Sequence, residues 1–392
     1  MHDETKIGVL GGGQLARMIM IAGSKMNYDL YFMDKNSLCS VSNVTKNLKI
    51  GNILNYDEVV GFGLDKDIIT IESENINISA LKYLQSIGKK IFPKPETLEI
   101  INDRGLQKIF FEQNNFKTAK YRLVYNQNEI ERIDDFDSGV IKIRRVEPEN
   151  KNNEWSMVIE NIVLDGVINR PSVVEEKLDI LKKLSIIGAR NTKGEIAIYE
   201  PVDMILNTET HLLDYQFCPA QIGINITQES KAILKRLLEE LDYVGVLTVE
   251  LFLTNQNELL INGLSPRPHN SGHHTIEGSY TNQFEQLLRS INNLPLGPTN
   301  NIASTIMINL IGDDAKSLIP QILNIKGVTY HSYNKQILKN KKVGHITIIN
   351  PNKTRLLDNA NKIKKILDRS SKYQSLHKKF IENQKQKLLL NK

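Results

Sequence analysis

The chain has 392 residues, of which 40% are hydrophobic and 24% are charged, as is typical of a folded protein of roughly two or three domains. Its two cysteines exclude a disulfide framework, and it has no run of about 18 apolar residues. Its first twenty residues lack the basic segment followed by an apolar stretch that is typical of a signal peptide. These features argue against a membrane or secreted protein, and we expect a cytoplasmic one.

The net charge of +5 comes from the C-terminal tail. Residues 355–392 hold 11 Lys or Arg against 3 Asp or Glu, so the other 354 residues carry a net charge of −3. Apolar residues recur at roughly helical spacing in this tail, which favours an amphipathic helix packed on its own domain. Contact with RNA or a membrane is the alternative, but we expect neither partner.

Short apolar runs alternate with helical stretches over the first hundred residues. A helix is predicted over Gln14–Gly23, between the first two strands. The predicted strands are Ile7–Leu10, Leu30–Met33, Ile68–Ile71 and Ile91–Phe92. Strands that alternate with helices predict a doubly wound parallel sheet. Pro93 and Pro95 then indicate a domain boundary close to residues 96–100.

The remainder of the chain mixes helical patterns with a long strand-like region over Tyr121–Asn191. A strand over Val244–Leu253 is predicted to pair with Glu258–Ile261 across a polar turn. Further helices are predicted over Leu98–Phe116, Ser230–Leu241 and Thr281–Asn292, and further strands over Ile302–Leu310 and His345–Ile349. A second boundary is expected at Pro295–Pro298.

A glycine turn follows the first predicted strand. Gly11, Gly12 and Gly13 lead into Gln14 and Leu15 of the helix, so a phosphate could approach the helix N-terminus. Asp34 lies at the offset of a ribose-binding acid, which would suit NAD. The glycine pattern alone is a weak signal, however, and another phosphate ligand, or packing alone, is the better interpretation.

Carboxylates occur at two places in the sequence where they could bind a ligand or a cation. Glu72 and Glu74 follow the strand Ile68–Ile71, at the end where ligands collect in open α/β sheets, although a solvated loop would look the same. Glu250 lies inside the apolar run Val246–Phe252, where a carboxylate is costly unless it is paired or binds a cation. Glu250 is therefore a candidate metal or salt-bridge residue.

A loop rich in hydrogen-bond donors runs from Ser265 to Thr275. It contains Arg267, His269, Asn270, Ser271, His273 and His274. A guanidinium fork beside amide and hydroxyl donors suits recognition of a phosphate or a sugar. The histidines lack the spacing of a helical zinc site, so binding of an anionic ligand is the better interpretation.

This loop also carries a resemblance. The segments Pro266–Glu277, Asn282–Gln286 and Leu294–Gly297 resemble 5-(carboxyamino)imidazole ribonucleotide synthases, which are ATP-grasp enzymes of purine biosynthesis. The similarity extends through Gly8–Met18, Thr70–Asn75, Asp103–Lys108, Cys218–Ala220, Val244–Phe252 and Gly344–Thr347. It therefore covers nearly the whole chain in order.

The resemblance implies a multidomain fold of the α/β and α+β classes. It implies a Rossmann-like N-terminal domain over residues 1–98, a central ATP-grasp domain over 99–297 and a small β-rich C-terminal domain over 298–354, followed by the basic helical tail over 355–392. It also implies a homodimer.

The activity implied is ATP-dependent carboxylation of 5-aminoimidazole ribonucleotide with bicarbonate, through carboxyphosphate, with Mg²⁺ as the metal cofactor. The implied ATP-binding residues are Arg104, Lys142, Glu175, Glu176, Lys177, Leu178 and Asn262, and Glu250 is the implied magnesium ligand. The implied ribonucleotide-binding residues are Glu72, Glu74, Arg267, His269, Asn270, Ser271, Lys335, Lys341 and Lys342.

The chain departs from the family pattern around the nucleotide. Val146–Trp155 has no glycine where the family has a glycine-rich phosphate loop, and Gly263 replaces the second magnesium carboxylate. Lys183 stands where a ribose-binding carboxylate is expected, and Lys339 and Lys341 stand where arginines are expected. The alternative to a synthase is therefore an impaired homologue that binds the ribonucleotide or an active subunit without turnover.

Overall fold

The computed structural model describes residues 5–126, 129, 138–145, 156–160, 170–206, 213–312, 314–334 and 342–368. Within these residues the chain forms three β-sheets, of five, nine and four strands, with helices packed against them. The predicted mixture of α/β and α+β parts is confirmed. The domain boundaries remain predictions.

The N-terminal sheet is parallel and has the strand order β3-β2-β1-β4-β5. Its strands are β1 (Ile7–Leu10), β2 (Leu30–Asp34), β3 (Leu48–Ile50), β4 (Ile68–Ile71) and β5 (Lys90–Ile91), and its helices are α1 (Gln14–Lys25), α2 (Tyr56–Gly63) and α3 (Ile78–Ser86). Residues of α1 pack on one face, in a core with Val9, and residues of α2 and α3 pack on the other, in a core with Leu10. The predicted doubly wound parallel sheet is confirmed.

The helical pattern over Leu98–Phe116 forms two helices instead of one, α4 (Pro95–Asn102) and α5 (Arg104–Gln113). The break falls at Asp103, whose backbone is extended and whose carboxylate accepts hydrogen bonds from the N–H groups of Gly105 and Leu106. An aspartate in this position caps the second helix, and it thereby ends the first.

A four-stranded antiparallel sheet follows, with the order β6-β9-β7-β8. Its strands are β6 (Tyr121–Val124), β7 (Ser138–Ile143), β8 (Ser156–Glu160) and β9 (Ser172–Glu176). These strands lie in the region predicted to be strand-like. The glycine-free segment Val146–Trp155, which connects β7 to β8, lies outside the described residues.

The nine-stranded sheet is antiparallel and has the order β15-β14-β10-β12-β13-β16-β18-β17, with β11 paired to β10. Its strands are β10 (Ile180–Arg190), β11 (Ile196–Ile198), β12 (Val202–Leu206), β13 (Leu213–Cys218), β14 (Gly245–Thr254), β15 (Leu259–Ser265), β16 (Thr305–Ile311), β17 (Val328–Ser332) and β18 (Lys342–Ile349). The predicted pairing of β14 with β15 is confirmed. The C-terminal strands extend this same sheet, because β13 pairs with β16.

Five further helices pack on this part of the chain: α6 (Ile224–Glu240), α7 (Thr275–Gly278), α8 (Gln283–Ile291), α9 (Asp314–Leu323) and α10 (Lys353–Asp368). The sequence patterns did not predict α9 or β17. The tail prediction is confirmed as far as Asp368, because Leu356, Ile363 and Leu367 of α10 are buried against the C-terminal strands. Among the described residues, every helix is too short or too polar to cross a bilayer.

Candidate functional site

A cleft of about 1250 Å³ opens between the four-stranded sheet, the nine-stranded sheet and the carboxyl end of β4. One end of the cleft is lined by side chains of α5, β7 and β9, and the other by Glu74, Arg267 and His269. The floor between them comes from β10, β14 and β15. The geometry therefore joins residues that are far apart in sequence in one continuous site.

The first end of the cleft is held together by a buried carboxylate between two lysines. The Glu175 carboxylate lies 2.7 Å from Lys142 Nζ and 3.3 Å from Lys108 Nζ. Lys142 Nζ also donates to Asn262 Oδ1, at 2.9 Å. Burial lowers the pKa of Lys108 to about 8, although the adjacent Glu175 opposes this shift. Two ammonium groups against one carboxylate leave a net positive charge that suits a polyphosphate.

The other predicted nucleotide residues lie along the same wall. Arg104 opens α5 and lines the cleft. Glu176, Lys177 and Leu178, at the end of β9, line it as well. Backbone N–H groups of Glu176 and Lys177 are used within the protein, because they donate to Lys120 O and Ser138 O. The structure thus brings together every predicted nucleotide residue named above.

A β-bulge shapes the floor of the cleft. In the β14–β15 pair, Glu250 lies opposite Gly263 and Leu251 opposite Ile261, so Asn262 is the extra residue. Bulges commonly redirect a side chain beside a site. The Asn262 amide donates to Glu250 Oε2 at 3.0 Å while its oxygen accepts from Lys142. One asparagine therefore couples the candidate metal carboxylate to the lysine.

Lys183 extends from β10 onto this same floor, where its ammonium lies 5.7 Å from the centre of the Phe252 ring. Burial lowers its pKa, while the negative charge of Glu250 opposes that change. Glu258, in the exposed turn between β14 and β15, is paired with Lys117. Glu250 is therefore the carboxylate that the floor of the cleft offers.

The other end of the cleft is organised by a bidentate ion pair. Arg267 Nε and Nη2 donate to the two oxygens of Glu74, at 2.7 and 2.8 Å. Burial opposes ionisation of Glu74, but Arg267 lowers the pKa of this carboxyl below its ordinary value. A guanidinium that donates two hydrogen bonds to one carboxylate fixes the orientation of both groups. Asn102 adds a further link, since its amide donates to the Glu74 carbonyl.

The glycine turn is filled by carboxylates of the protein itself. Gly12 N–H donates to Asp34 at 2.8 Å, and Gly13 N–H donates to Glu72 at 3.3 Å. A Cβ at Gly13 would meet a Glu72 oxygen, so a larger residue there would displace this carboxylate from the turn. Burial raises the pKa of Glu72 to about 7. Because these N–H groups already bind carboxylates, the turn is a poor phosphate site, and the predicted ribose acid Asp34 serves to hold it.

The donor loop is anchored from both sides. Asn270 and Asn309 of β16 exchange amide hydrogen bonds at 3.0 and 3.1 Å, and Lys342 Nζ donates to Asn270 Oδ1 at 3.4 Å. Ser271 is buried, and its hydroxyl lies 2.8 Å from His269 Nδ1. The C-terminal strands thus hold the loop against the cleft. Lys335, Lys339 and Lys341 lie outside the described residues, so their predicted phosphate role remains a prediction.

Two residues of the site were not predicted from the sequence. Lys108 lies in the quoted motif Asp103–Lys108, but nothing in the sequence indicated that it would face Glu175. Asn309 lies inside an apolar strand, and a buried asparagine in such a run was the signal that could have marked it.

Four histidines of this region, His269, His273, His274 and His345, are held in the neutral form. Burial lowers the pKa of His269 to about 3 and that of His274 to about 4, and it places those of His273 and His345 well below 6.5. The His273 and His345 rings are stacked, with their centres 4.7 Å apart. His274 donates through Nδ1 to the Ser271 carbonyl at 2.9 Å.

These histidines predict a loss of stability in acid. Their folded-state pKa values lie below the unfolded value near 6.5, so the unfolded chain binds more protons as the pH falls below 6.5. Each histidine should then reduce the free energy of unfolding by about 1 kcal/mol per pH unit until its folded pKa is reached. Denaturant unfolding between pH 7.5 and 5 measures the slope. His274→Asn, which keeps a donor for Ser271, should make the slope shallower, and an equal slope would contradict the prediction.

Three family models match the chain in order. The model of the ribonucleotide synthetase preATP-grasp domain matches residues 4–102, that of the ATP-grasp domain residues 109–284, and that of the phosphoribosylaminoimidazole carboxylase C-terminal domain residues 305–359. Together with the cationic cleft, these matches define the class: the chain is an ATP-grasp protein.

Similar proteins of known family identify the family within the ATP-grasp class. The chain is 31% identical to N5-carboxyaminoimidazole ribonucleotide synthase of Brucella melitensis, over 90% of this chain and 98% of the relative. A crystal structure of the corresponding synthetase from Thermotoga maritima is similar with a TM-score of 0.82 at 32% identity, covering 92% of this chain and 98% of that one. Another, an ADP complex, has a TM-score of 0.85 at 28% identity, covering 94% and 98% of the two chains.

The chain therefore belongs to the family of N5-carboxyaminoimidazole ribonucleotide synthases. Some relatives are longer proteins, since the chain spans 64% of phosphoribosylaminoimidazole carboxylase from Candida glabrata, to which it is 31% identical. These relatives give no support to the alternative of a homologue without turnover.

Proposed function

We propose that the chain carboxylates 5-aminoimidazole ribonucleotide with bicarbonate at the expense of ATP, through carboxyphosphate, in purine biosynthesis. The observation that supports this most directly is the single cleft with two different ends. One end offers ammonium groups for a polyphosphate. The other offers a guanidinium and an imidazole for a sugar phosphate and a small anion, and a carboxylate that holds the guanidinium in place. We also propose that the protein is cytoplasmic and forms a homodimer. Light scattering on the purified 44.6 kDa chain would test the dimer.

Different residues of the cleft would contribute to different steps of this reaction. Phosphoryl transfer depends on in-line positioning and on neutralising the charge of the phosphates. Lys142 and Lys108, both fixed by Glu175, supply that charge from rigid elements, and Arg104 adds to it. Arg267 is held by Glu74 and orients the anionic reactants at the opposite end. The protein needs no covalent nucleophile for these steps.

We propose Mg²⁺ as the metal, bound with the nucleotide. In proteins Mg²⁺ is usually held by one or two carboxylates together with phosphate oxygens, and it neutralises charge on the transferred phosphoryl group. Glu250 supplies one such carboxylate, with the Asn262 amide beside it. Gly263 supplies no side chain, and among the described residues no group of three metal-ligating side chains forms a closed site. The donor set fits an ion that completes its shell with nucleotide and water.

Replacing Gly263 by glutamate is expected to raise the rate of phosphoryl transfer by about tenfold, because it adds a second carboxylate opposite Glu250. The backbone has room, since a Cβ there would meet its nearest neighbour, Gln107 Oε1, at 3.9 Å. Phosphate release measured against Mg²⁺ concentration tests this. Gly223→Glu adds the same charge in open space at the start of α6 and serves as the control. No gain over this control would mean that the missing carboxylate does not limit the rate.

The function itself is tested by phosphate release from ATP with Mg²⁺ and bicarbonate, with and without 5-aminoimidazole ribonucleotide. Ribonucleotide-stimulated release, together with incorporation of isotopically labelled bicarbonate, is the expected result. Release without incorporation would point to another acceptor. Ribonucleotide binding by calorimetry without any release would instead favour the impaired homologue.

A further inference from the structure

A chain of hydrogen bonds runs from the centre of the nine-stranded sheet to the imidazole of His269. Ser185 Oγ on β10 lies 2.7 Å from Ser271 Oγ, which in turn lies 2.8 Å from His269 Nδ1. Both serines are fully or almost fully buried, whereas His269 is partly exposed and lines the cleft. Ser185 is therefore connected to the site through another residue.

The backbone N–H of Ser271 indicates the direction of the hydrogen bonds in this chain. The backbone N–H of Ser271, which can only donate, points at His269 Nδ1 at 3.3 Å. This contact favours Nδ1 as the acceptor, with the proton of the neutral ring on Nε2. At 3.3 Å it is longer than an ordinary hydrogen bond, so it does not hold the tautomer without the Ser271 hydroxyl. In the tautomer with its proton on Nε2, the Ser271 hydroxyl, 2.8 Å from Nδ1, shares this acceptor and donates to it, and the Ser271 oxygen then accepts from the Ser185 hydroxyl.

The backbone around His269 is held equally firmly. The Gln283 side chain accepts from His269 N–H at 2.9 Å and donates to His269 O at 2.8 Å. Gly272 lets the loop sit on the sheet, because a Cβ there would lie 2.4 Å from Ile187 and 2.3 Å from Gln283. The backbone that carries the imidazole is thus held in place by Gln283 and by the sheet.

We propose that Ser185 is a positioning residue that acts through Ser271 to fix His269 in the tautomer with its proton on Nε2. His269 then presents a neutral N–H donor to the cleft beside the Arg267 guanidinium. Such a donor stabilises negative charge on a carboxyl oxygen without releasing a proton. This inference rests on the proposed function, because the oxygen it serves is that of the bicarbonate-derived reactant.

The charged groups around the His269 ring favour its neutral form, in which Nε2–H is a donor. Arg267 and Lys342 disfavour a second proton on His269, and Glu74, which favours one, is already engaged by Arg267. Among the described residues Nε2 makes no hydrogen bond within the protein. The Nε2–H group is therefore available to a ligand.

The tautomer is tested directly by nitrogen NMR on protein labelled with ¹⁵N-histidine. His269 is assigned by its loss in His269→Gln. We expect an unprotonated Nδ1 and a protonated Nε2 for His269 in the unliganded wild-type protein. A protonated Nδ1 would overturn the inference, and this holds whether or not the chain carboxylates the ribonucleotide. The NMR result therefore separates failure of this inference from failure of the proposed function.

The role of Ser185 is tested by Ser185→Ala. We expect a mixture of His269 tautomers, a decrease of about tenfold in kcat with ribonucleotide, and an unchanged KM for ATP. Ser185→Cys, which restores a weak donor of similar size, should recover part of the loss. Ser230→Ala removes another buried hydroxyl, which donates to Thr227 O within α6, and should leave kcat and the tautomer unchanged. A Ser185→Ala protein with wild-type kcat and a single tautomer would overturn the proposal.

Discussion

Arg267→Ala is expected to abolish measurable binding of 5-aminoimidazole ribonucleotide, with a loss of at least about 100-fold in affinity. The variant removes a bidentate guanidinium from the cleft and leaves the Glu74 carboxylate without its partner. Truncating one partner of a buried, hydrogen-bonded charge pair costs about 2–5 kcal/mol, and here the carboxylate that remains would also repel an anionic ligand. Titration calorimetry with the ribonucleotide measures the effect.

The matched control is Arg289→Ala. Arg289 makes a comparable contact, with Nε and Nη2 both donating to Glu285, but it lies on α8, away from the cleft. Its loss should leave the ribonucleotide affinity unchanged. Arg267→Lys keeps the positive charge but not the fork, and it should give an intermediate affinity. Wild-type affinity in Arg267→Ala would remove the loop from the proposed binding site.

Glu250→Gln is expected to lower kcat for phosphate release by about 10²–10³-fold, with little change in ribonucleotide affinity. Glutamine keeps the size of the side chain but removes the charge that would hold a nucleotide-bound cation, and charge stabilisation dominates phosphoryl transfer. Steady-state phosphate release at several Mg²⁺ concentrations measures the change in rate.

Glu258→Gln is the control for this variant, because Glu258 belongs to the same hairpin but pairs with Lys117 in its exposed turn. It should retain the wild-type rate. Equal rates in Glu250→Gln and the wild-type protein would show that Glu250 does not act on the metal or the phosphates. A parallel loss of ribonucleotide binding would instead point to a general disturbance of the cleft.

Sequence patterns correctly predicted the strands and turns that depend on residues close together in the chain. The strand Ile68–Ile71 and the β14–β15 hairpin follow from apolar runs bounded by polar turns, and both are present. The helix predicted to begin at Thr281 begins at Gln283, because Asn282 caps it. The helix predicted to begin at Ser230 begins at Ile224, where the pattern gave little signal.

Contacts between residues far apart in the chain determine the features that the sequence patterns did not predict. The break at Asp103 is reinforced by its ion pair with Arg144, 41 residues later. The bulge that turns Asn262 towards Glu250 and Lys142 depends on strand register, which no local pattern encodes. The donor loop was predicted as a binding element because its residues are contiguous. The pairing of Glu74 with Arg267 was not predicted, although the resemblance placed both residues at the same ligand.

The pairing of β13 with β16 also bears on solubility. Gln216, Phe217 and Cys218 lie opposite Met307, Ile306 and Thr305, so strands from the C-terminal part of the chain cover this edge. An uncovered strand edge is a template for association with other chains. A protein cut short before Thr305 would expose that edge along with the apolar side chains packed beside it. The C-terminal strands thus protect the rest of the molecule from aggregation.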